Sequence, residues 1–154
     1  MSAILKVVEW IVIVLMAVIA AAVIIEVTLR DLLDMSIGIH EELTRYLMIW
    51  VVMLGSALLT HENSHVRISM LPDMLAGKRL FALECIADLV VIFFLSCFVY
   101  ACATNLPSIV GQNTVTLGVG MVWFHAALPV GGALMLAITV HRFALHLRRL
   151  AGLR

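Results

Sequence analysis

Four long apolar stretches dominate this chain, and they restrict it to a small set of folds. A helix rises about 1.5 Å per residue, so about 20 predominantly apolar residues cross the hydrocarbon core of a bilayer. Residues 5–29, 43–60, 83–102 and 121–140 meet or approach that length. Backbone N–H and C=O groups in lipid must be satisfied inside the segment, which makes each stretch a helix. The expected fold is therefore an all-α integral membrane protein, a single four-helix membrane domain over residues 1–154 with a basic tail at 141–154. Composition leaves no room for a soluble domain: 64% of the 154 residues are hydrophobic and 13% charged, against about 45–50% apolar in soluble domains.

The first stretch reads as a retained span and not as a cleaved leader. Its apolar run from Trp10 to Ile25 is longer than a signal-peptide core, and Glu26 and Arg30 follow it where a small-residue cleavage site belongs. Cys85, Cys97 and Cys102 fall on one span without a CxxC pair, which suggests packing residues and neither a disulfide framework nor a zinc site.

Orientation follows from lysine and arginine, which resist translocation when they flank a span. Lys6 precedes the first span; Arg67, Lys78 and Arg79 lie between the second and third; Arg142, Arg148, Arg149 and Arg154 follow the fourth. The opposite side carries Arg30 and Arg45, and nothing basic between Asn105 and Gly120. Both termini are expected in the cytoplasm, with the basic tail among anionic headgroups. Nucleic-acid binding is the weaker reading of that tail.

Polar residues cluster at the ends of the spans. Glu26 and Arg30, four apart in the acid-first order, read as an interfacial ion pair. At the start of the second span Arg45 is four residues from Glu41 and three from Glu42, within reach of either carboxylate, and both acids face the positive end of the helix dipole. That cluster is a helix cap, a contact with another protein, or an ion site. Met48, Val52, Gly55 and Leu59 continue the face of Glu41 and Arg45, and Gly55 beside Ser56 permits a close helix contact. Trp50 lies mid-span, facing protein or lipid.

The segment after the second span, with His61, His65 and Arg67, alternates apolar and polar residues up to Pro72 and suits a short interfacial stretch. Glu84 and Asp88 share a face at the start of the third span, where they pair with Lys78 and Arg79 or hold a proton or cation. Residues 105–120 contain Pro107, Gly111, Asn113, Gly118 and Gly120 and form a loop near the membrane surface. In the fourth span Pro129 removes one backbone hydrogen bond, while Gly131 and Gly132 admit another helix, so a kinked, tightly packed helix is expected. No nucleophile paired with a base, phosphate loop or metal-ligand cluster is visible, so no catalytic residue and no cofactor is expected.

The run EELTRYLMIW at Glu41–Trp50, the following LGSALLTHENSHVRISML with Gly55 and His65, the AALPVGGALM of Ala126–Met135, and Arg30 after the first span resemble one family. It is the DctQ-like small membrane subunit of tripartite ATP-independent periplasmic (TRAP) transporters, and the resemblance covers nearly the whole chain. It implies a bacterial inner-membrane protein that pairs with a large DctM-like membrane subunit and works with a periplasmic, DctP-like substrate-binding protein. It implies sodium-driven uptake of an organic acid such as a C4-dicarboxylate or a sialic acid, with this chain a non-catalytic scaffold. Two other readings stand beside it. An independent small four-span transporter calls for a carboxylate deep in a helix, and a haem-binding anchor of a redox enzyme calls for histidine pairs on facing spans.

Overall fold

The computed structural model describes residues 2–33, 39–62 and 78–150. Helices are α1 (Ser2–Leu33), α2 (Ile39–Glu62), α3 (Lys78–Asn105), the short α4 (Val122–His125) and α5 (Ala127–Leu150), with a 3₁₀ turn at Leu106–Ile109 after α3. Four segments are long and apolar enough to cross a membrane: Ile4–Leu32, Glu41–His61, Leu83–Ile109 and Val122–Arg148. The expected spans are all present, but the fourth runs further. Helix α5 continues to Leu150, so Arg142 and His146 of the supposed tail belong to the last helix. His65, Arg67 and Pro72 lie outside the described residues.

The helices form an open row. Among the described elements α1 packs only on α2, α2 also packs on α5, and α5 packs on α3. The ends of the row follow from side-chain placement. On α1 the side chains that are not fully exposed are Leu5, Val8, Val12, Leu15, Ile19, Ala22, Glu26 and Leu29. They recur every three or four residues, which keeps one narrow seam against a neighbouring helix. The other side chains described from Ile4 to Leu32 are exposed, including Trp10, Val14 and Ile24.

In the middle of the row two adjacent glycines set the spacing on both sides of α5. A Cβ on Gly131 would lie 2.7 Å from Met53 Cβ on α2, and one on Gly132 would lie 2.9 Å from Val99 Cγ2 on α3. Lipid tails are as apolar as leucine, so helices in a membrane gain most from close packing, and small residues permit it. The close approach expected at Gly131 is thus made, and Gly132 makes a second one in the other direction.

Several hydroxyls inside the apolar helices are satisfied locally, whereas the buried Thr44 Oγ1 near the start of α2 has no partner among the described residues. Thr60 donates to the Ser56 carbonyl at 2.7 Å, Ser96 to Ile92 at 2.7 Å, and the fully buried Thr139 to Met135 at 2.8 Å. Each bonds one turn back on its own helix, so none needs a partner elsewhere.

Pro129 was expected to kink the fourth span from within; the interruption instead lies ahead of it, at Ala126 between α4 and α5. Pro129 occupies the first turn of α5, where a missing N–H is tolerated. The carbonyl of His125, four residues earlier, receives no proline N–H, and the helix lapses for one residue at Ala126. Ala126 keeps helical dihedrals (φ −60°, ψ −22°), and the bonds Ala126 N–H to Val122 O (2.9 Å) and Val130 N–H to Ala126 O (3.2 Å) carry the chain across.

Candidate functional site

Two polar assemblies lie at opposite ends of the helices. The first joins the start of α2 to the connection between α3 and α4. That connection folds back on itself: Thr114 N–H donates to Val119 O at 2.9 Å, Gly118 N–H to Thr114 O at 3.2 Å, and Met121 N–H to Gln112 O at 2.9 Å. Gly111 (φ 91°) and Gly118 (φ 65°) supply the left-handed turns that other residues resist. The buried Thr114 fixes the tip from inside, its Oγ1 accepting the Val119 N–H at 3.0 Å. This turn leaves three consecutive N–H groups, of Val115, Thr116 and Leu117, pointing the same way.

Glu42 fills that concavity. Its Oε1 accepts from Val115 N–H at 3.1 Å, and its Oε2 accepts from Thr116 N–H at 2.8 Å and Leu117 N–H at 3.1 Å. Successive N–H groups directed at one point form an anion-binding nest, and a carboxylate is a strong acceptor for it. One turn further along α2, Tyr46 stacks on Phe124 of α4 with ring centroids 4.3 Å apart and planes 17° from parallel. Glu42 and Tyr46 therefore hold the connection on the α2 end from two sides.

Arg45 was expected within reach of either carboxylate or turned outward, and it is exposed. Among the described residues no ion pair links Arg45 to Glu41 or Glu42. Glu42 turns to the loop, while Glu41 and Arg45 stay exposed. Glu26 and Arg30 likewise form no ion pair among the described residues: Glu26 is half-buried in the seam towards α2, and Arg30 is exposed. Trp50 is half-buried. The contact expected at Gly55 is not made among the described residues, since a Cβ there would meet nothing within 4 Å.

The second assembly lies between α3 and α5 at the opposite end. Arg142 Nε donates to Asp88 Oδ1 at 3.0 Å, and its Nη2 approaches the same oxygen. His146 places Nδ1 3.1 Å from Asp88 Oδ2 and Nε2 3.8 Å from Glu84 Oε2. Asp88 is 4% exposed and His146 8%. Two carboxylates four residues apart on α3 thus meet a guanidinium and an imidazole four residues apart on the antiparallel α5. Asp88 was expected to pair locally with Lys78 or Arg79, and Arg142 to sit among headgroups; instead the two find each other across helices. An aspartate withdrawn from water needs an opposite charge with hydrogen bonds, and Arg142 supplies both.

Between α3 and α5 at the Glu42 end, a cavity of about 300 Å³ is lined by Phe98, Cys102, Leu106, Ile109, Leu128 and neighbours, with Asn105 and His125 as its polar members. Asn105 Nδ2 donates to the Ala101 carbonyl at 2.7 Å, and His125 Nδ1 lies 3.0 Å from Met121 O. Its polar members are engaged with backbone, so the cavity resembles an apolar packing gap more than a site for a charged solute.

Fold and site define a small polytopic helical membrane protein whose charged groups serve to tie helices and loop together. The chain matches the family described as "Tripartite ATP-independent periplasmic transporters, DctQ component" over residues 19–149, and it belongs to that family. Among similar proteins, the sialic acid TRAP transporter small permease protein SiaQ of Vibrio cholerae is 27% identical over 121 residues, covering 79% of this chain and 70% of that protein. A putative TRAP transporter small permease protein of Haemophilus influenzae is 33% identical over 87 residues, 56% of this chain and 54% of that protein.

Proposed function

We propose that this chain is the small, non-catalytic membrane subunit of a sodium-driven TRAP transporter that imports an organic acid, of the sialic acid or C4-dicarboxylate type. It serves as a static scaffold for a large DctM-like membrane subunit that holds the substrate and ion sites, and a periplasmic DctP-like binding protein delivers the substrate. Family membership over residues 19–149 carries the reading. The distribution of polar groups supports the scaffold role. Glu42 with its loop and Asp88 with Arg142 occupy opposite ends of the helices, and Thr60, Ser96 and Thr139 bond to carbonyls of their own helices. A solute pathway calls for polar side chains lining the middle, whereas a scaffold calls for rigid ends.

The lysine and arginine distribution supports a bacterial inner-membrane orientation with both termini in the cytoplasm. The Glu42-bound loop then lies at the periplasmic surface, where a binding protein arrives. Reconstitution tests the whole reading. Proteoliposomes carrying this chain and its large subunit, supplied with binding protein and an inward sodium gradient, are expected to accumulate radiolabelled organic acid. Omitting this chain is expected to abolish uptake. Uptake that persists without the chain, or that ignores the sodium gradient, would overturn the proposal.

A further inference from the structure

We propose that the cavity between α3 and α5 takes up one acyl chain of a bilayer phospholipid, and that Asn105 and His125 at its mouth favour a headgroup that donates hydrogen bonds.

Depth in the membrane supplies the first observation. Every residue lining the cavity lies within Leu83–Ile109 or Val122–Arg148, two of the segments long and apolar enough to cross a membrane. Each of these has 27 residues, about 40 Å of helix at about 1.5 Å per residue against about 30 Å of hydrocarbon, so their ends reach the headgroups. Asn105 and His125 stand about one turn from the ends nearest Glu42, whereas Phe98 lies two turns deeper on α3. The cavity therefore runs from headgroup depth down among the chains. A volume of about 300 Å³ is small for a ligand pocket, and apolar walls with a few polar groups are typical of one.

The packing holds this gap open. Towards Asp88, Gly132 brings α5 against α3, and Phe98, with Cδ1 3.1 Å from where a Cβ on Gly132 would be, forms the floor. Towards Glu42, α3 gives way to the 3₁₀ turn and α5 begins only after the lapse at Ala126. Phe124, the neighbour of His125, is held by its stack on Tyr46. Helices pinned on both sides of a gap keep it from closing. Walls facing an empty gap forfeit dispersion contacts, and a flexible hydrocarbon chain restores them.

The two polar residues bear on the headgroup. Asn105 turns Nδ2 to the Ala101 carbonyl, and its Oδ1 accepts no hydrogen bond among the described residues. A carbonyl oxygen only accepts, so the contact of His125 Nδ1 with Met121 O places the proton of the neutral ring on Nδ1 and leaves Nε2 as an acceptor. Two acceptors at headgroup depth suit a donor. The primary ammonium of phosphatidylethanolamine has N–H groups to give, and the trimethylated ammonium of phosphatidylcholine has none.

The experiment reconstitutes the full chain in phosphatidylcholine vesicles containing a little phosphatidylethanolamine with a photoactivatable group in one acyl chain, and maps the labelled residues by mass spectrometry. Labelling is expected to concentrate several-fold on Phe98, Cys102, Leu106 and Leu128 over the outward-facing Phe93 and Phe94. Unlabelled phosphatidylethanolamine is expected to displace the label about fivefold better than phosphatidylcholine of the same chains, the scale of one net hydrogen bond. Cys102→Phe fills the cavity and is expected to remove most of the labelling there while leaving that at Phe93 unchanged. Asn105→Leu with His125→Leu is expected to abolish the headgroup preference and keep the chain labelled. The displacement comparison uses the unaltered chain, so it stands even where a variant folds poorly. Labelling spread evenly over cavity and outward-facing residues, labelling unmoved by Cys102→Phe, or equal displacement by the two lipids would overturn the inference.

Discussion

Glu42 Oε2 lies 2.8 Å from the amide nitrogen of Thr116, which is 74 residues further along the chain. That single acceptor, with its two companion bonds, decides where the longest described connection between helices rests. Val115 beside it is 93% exposed, so that side chain does nothing to hold the tip by burial. Glu42→Ala removes all three acceptor contacts and leaves three aligned N–H groups without one. Hydrogen exchange at Val115, Thr116 and Leu117 is expected to accelerate several-fold, with little change in α1 or α3. Glu42→Gln retains one carbonyl oxygen and is expected to fall between. Unchanged exchange at these amides in Glu42→Ala would show that the turn is held by Thr114 and Gly118 alone.

Asp88 and Arg142 make a separable prediction, because one partner is buried and the other is 24% exposed in its side chain. Replacing Asp88 with asparagine removes the carboxylate that Arg142 binds between α3 and α5, although the long stem of Arg142 lets its head move towards water. The cost is therefore expected below the 3–5 kcal/mol of a fully buried broken pair, at about 2 kcal/mol. The double replacement Asp88→Leu with Arg142→Leu is expected to recover most of that loss, since an apolar pair carries no desolvation penalty. Thermal unfolding in detergent of Asp88→Leu, Arg142→Leu and the double variant checks this. Additive losses would mean that the two residues do not act as a pair.

The sequence displayed the four spans clearly, because a bilayer demands a length and an apolarity that few other contexts do. It showed the polar clusters but not their partners. Glu41, Glu42 and Arg45 satisfied a helical spacing rule, yet a three-residue turn of backbone N–H groups outcompeted the arginine for Glu42, and backbone groups leave no mark in a pattern of side chains. The α3–α5 clasp was nearer to legible. Glu84 and Asp88 are four apart, and so are Arg142 and His146, a complementary spacing that antiparallel helices bring into register. It was missed because the last two were assigned to a tail; α5 in fact extends to Leu150.

Gly131 and Gly55 are expected to respond oppositely to the same substitution. Gly131→Ala forces a Cβ to within 2.7 Å of Met53 Cβ and 3.1 Å of the Met53 backbone, so α2 and α5 must separate. Overpacking of this kind costs about 1–3 kcal/mol. Gly55→Ala meets nothing within 4 Å and gains helix propensity, worth about 0.5–1 kcal/mol. Melting temperatures of the isolated chain are expected to fall for the first and hold or rise slightly for the second. A fall for both would indicate that Gly55 is packed within this chain after all.

Pro129 offers the last test, because the lapse it imposes lies between the loop clamp and the α2–α5 contact. Pro129→Ala supplies an N–H that can reach the His125 carbonyl and remove the lapse at Ala126. Joining α4 to α5 as one uninterrupted helix changes the direction in which Phe124 leaves the bundle, and Phe124 is the residue stacked on Tyr46. The variant is therefore expected to gain helical signal slightly while loosening the loop, seen as faster hydrogen exchange at Thr114 through Val119. Tyr46→Ala in the same background separates the two effects: once the stack is lost, the proline replacement is expected to cause little further loosening. Equal loosening with and without Tyr46 would show that the break in the fourth span acts on the loop by another route.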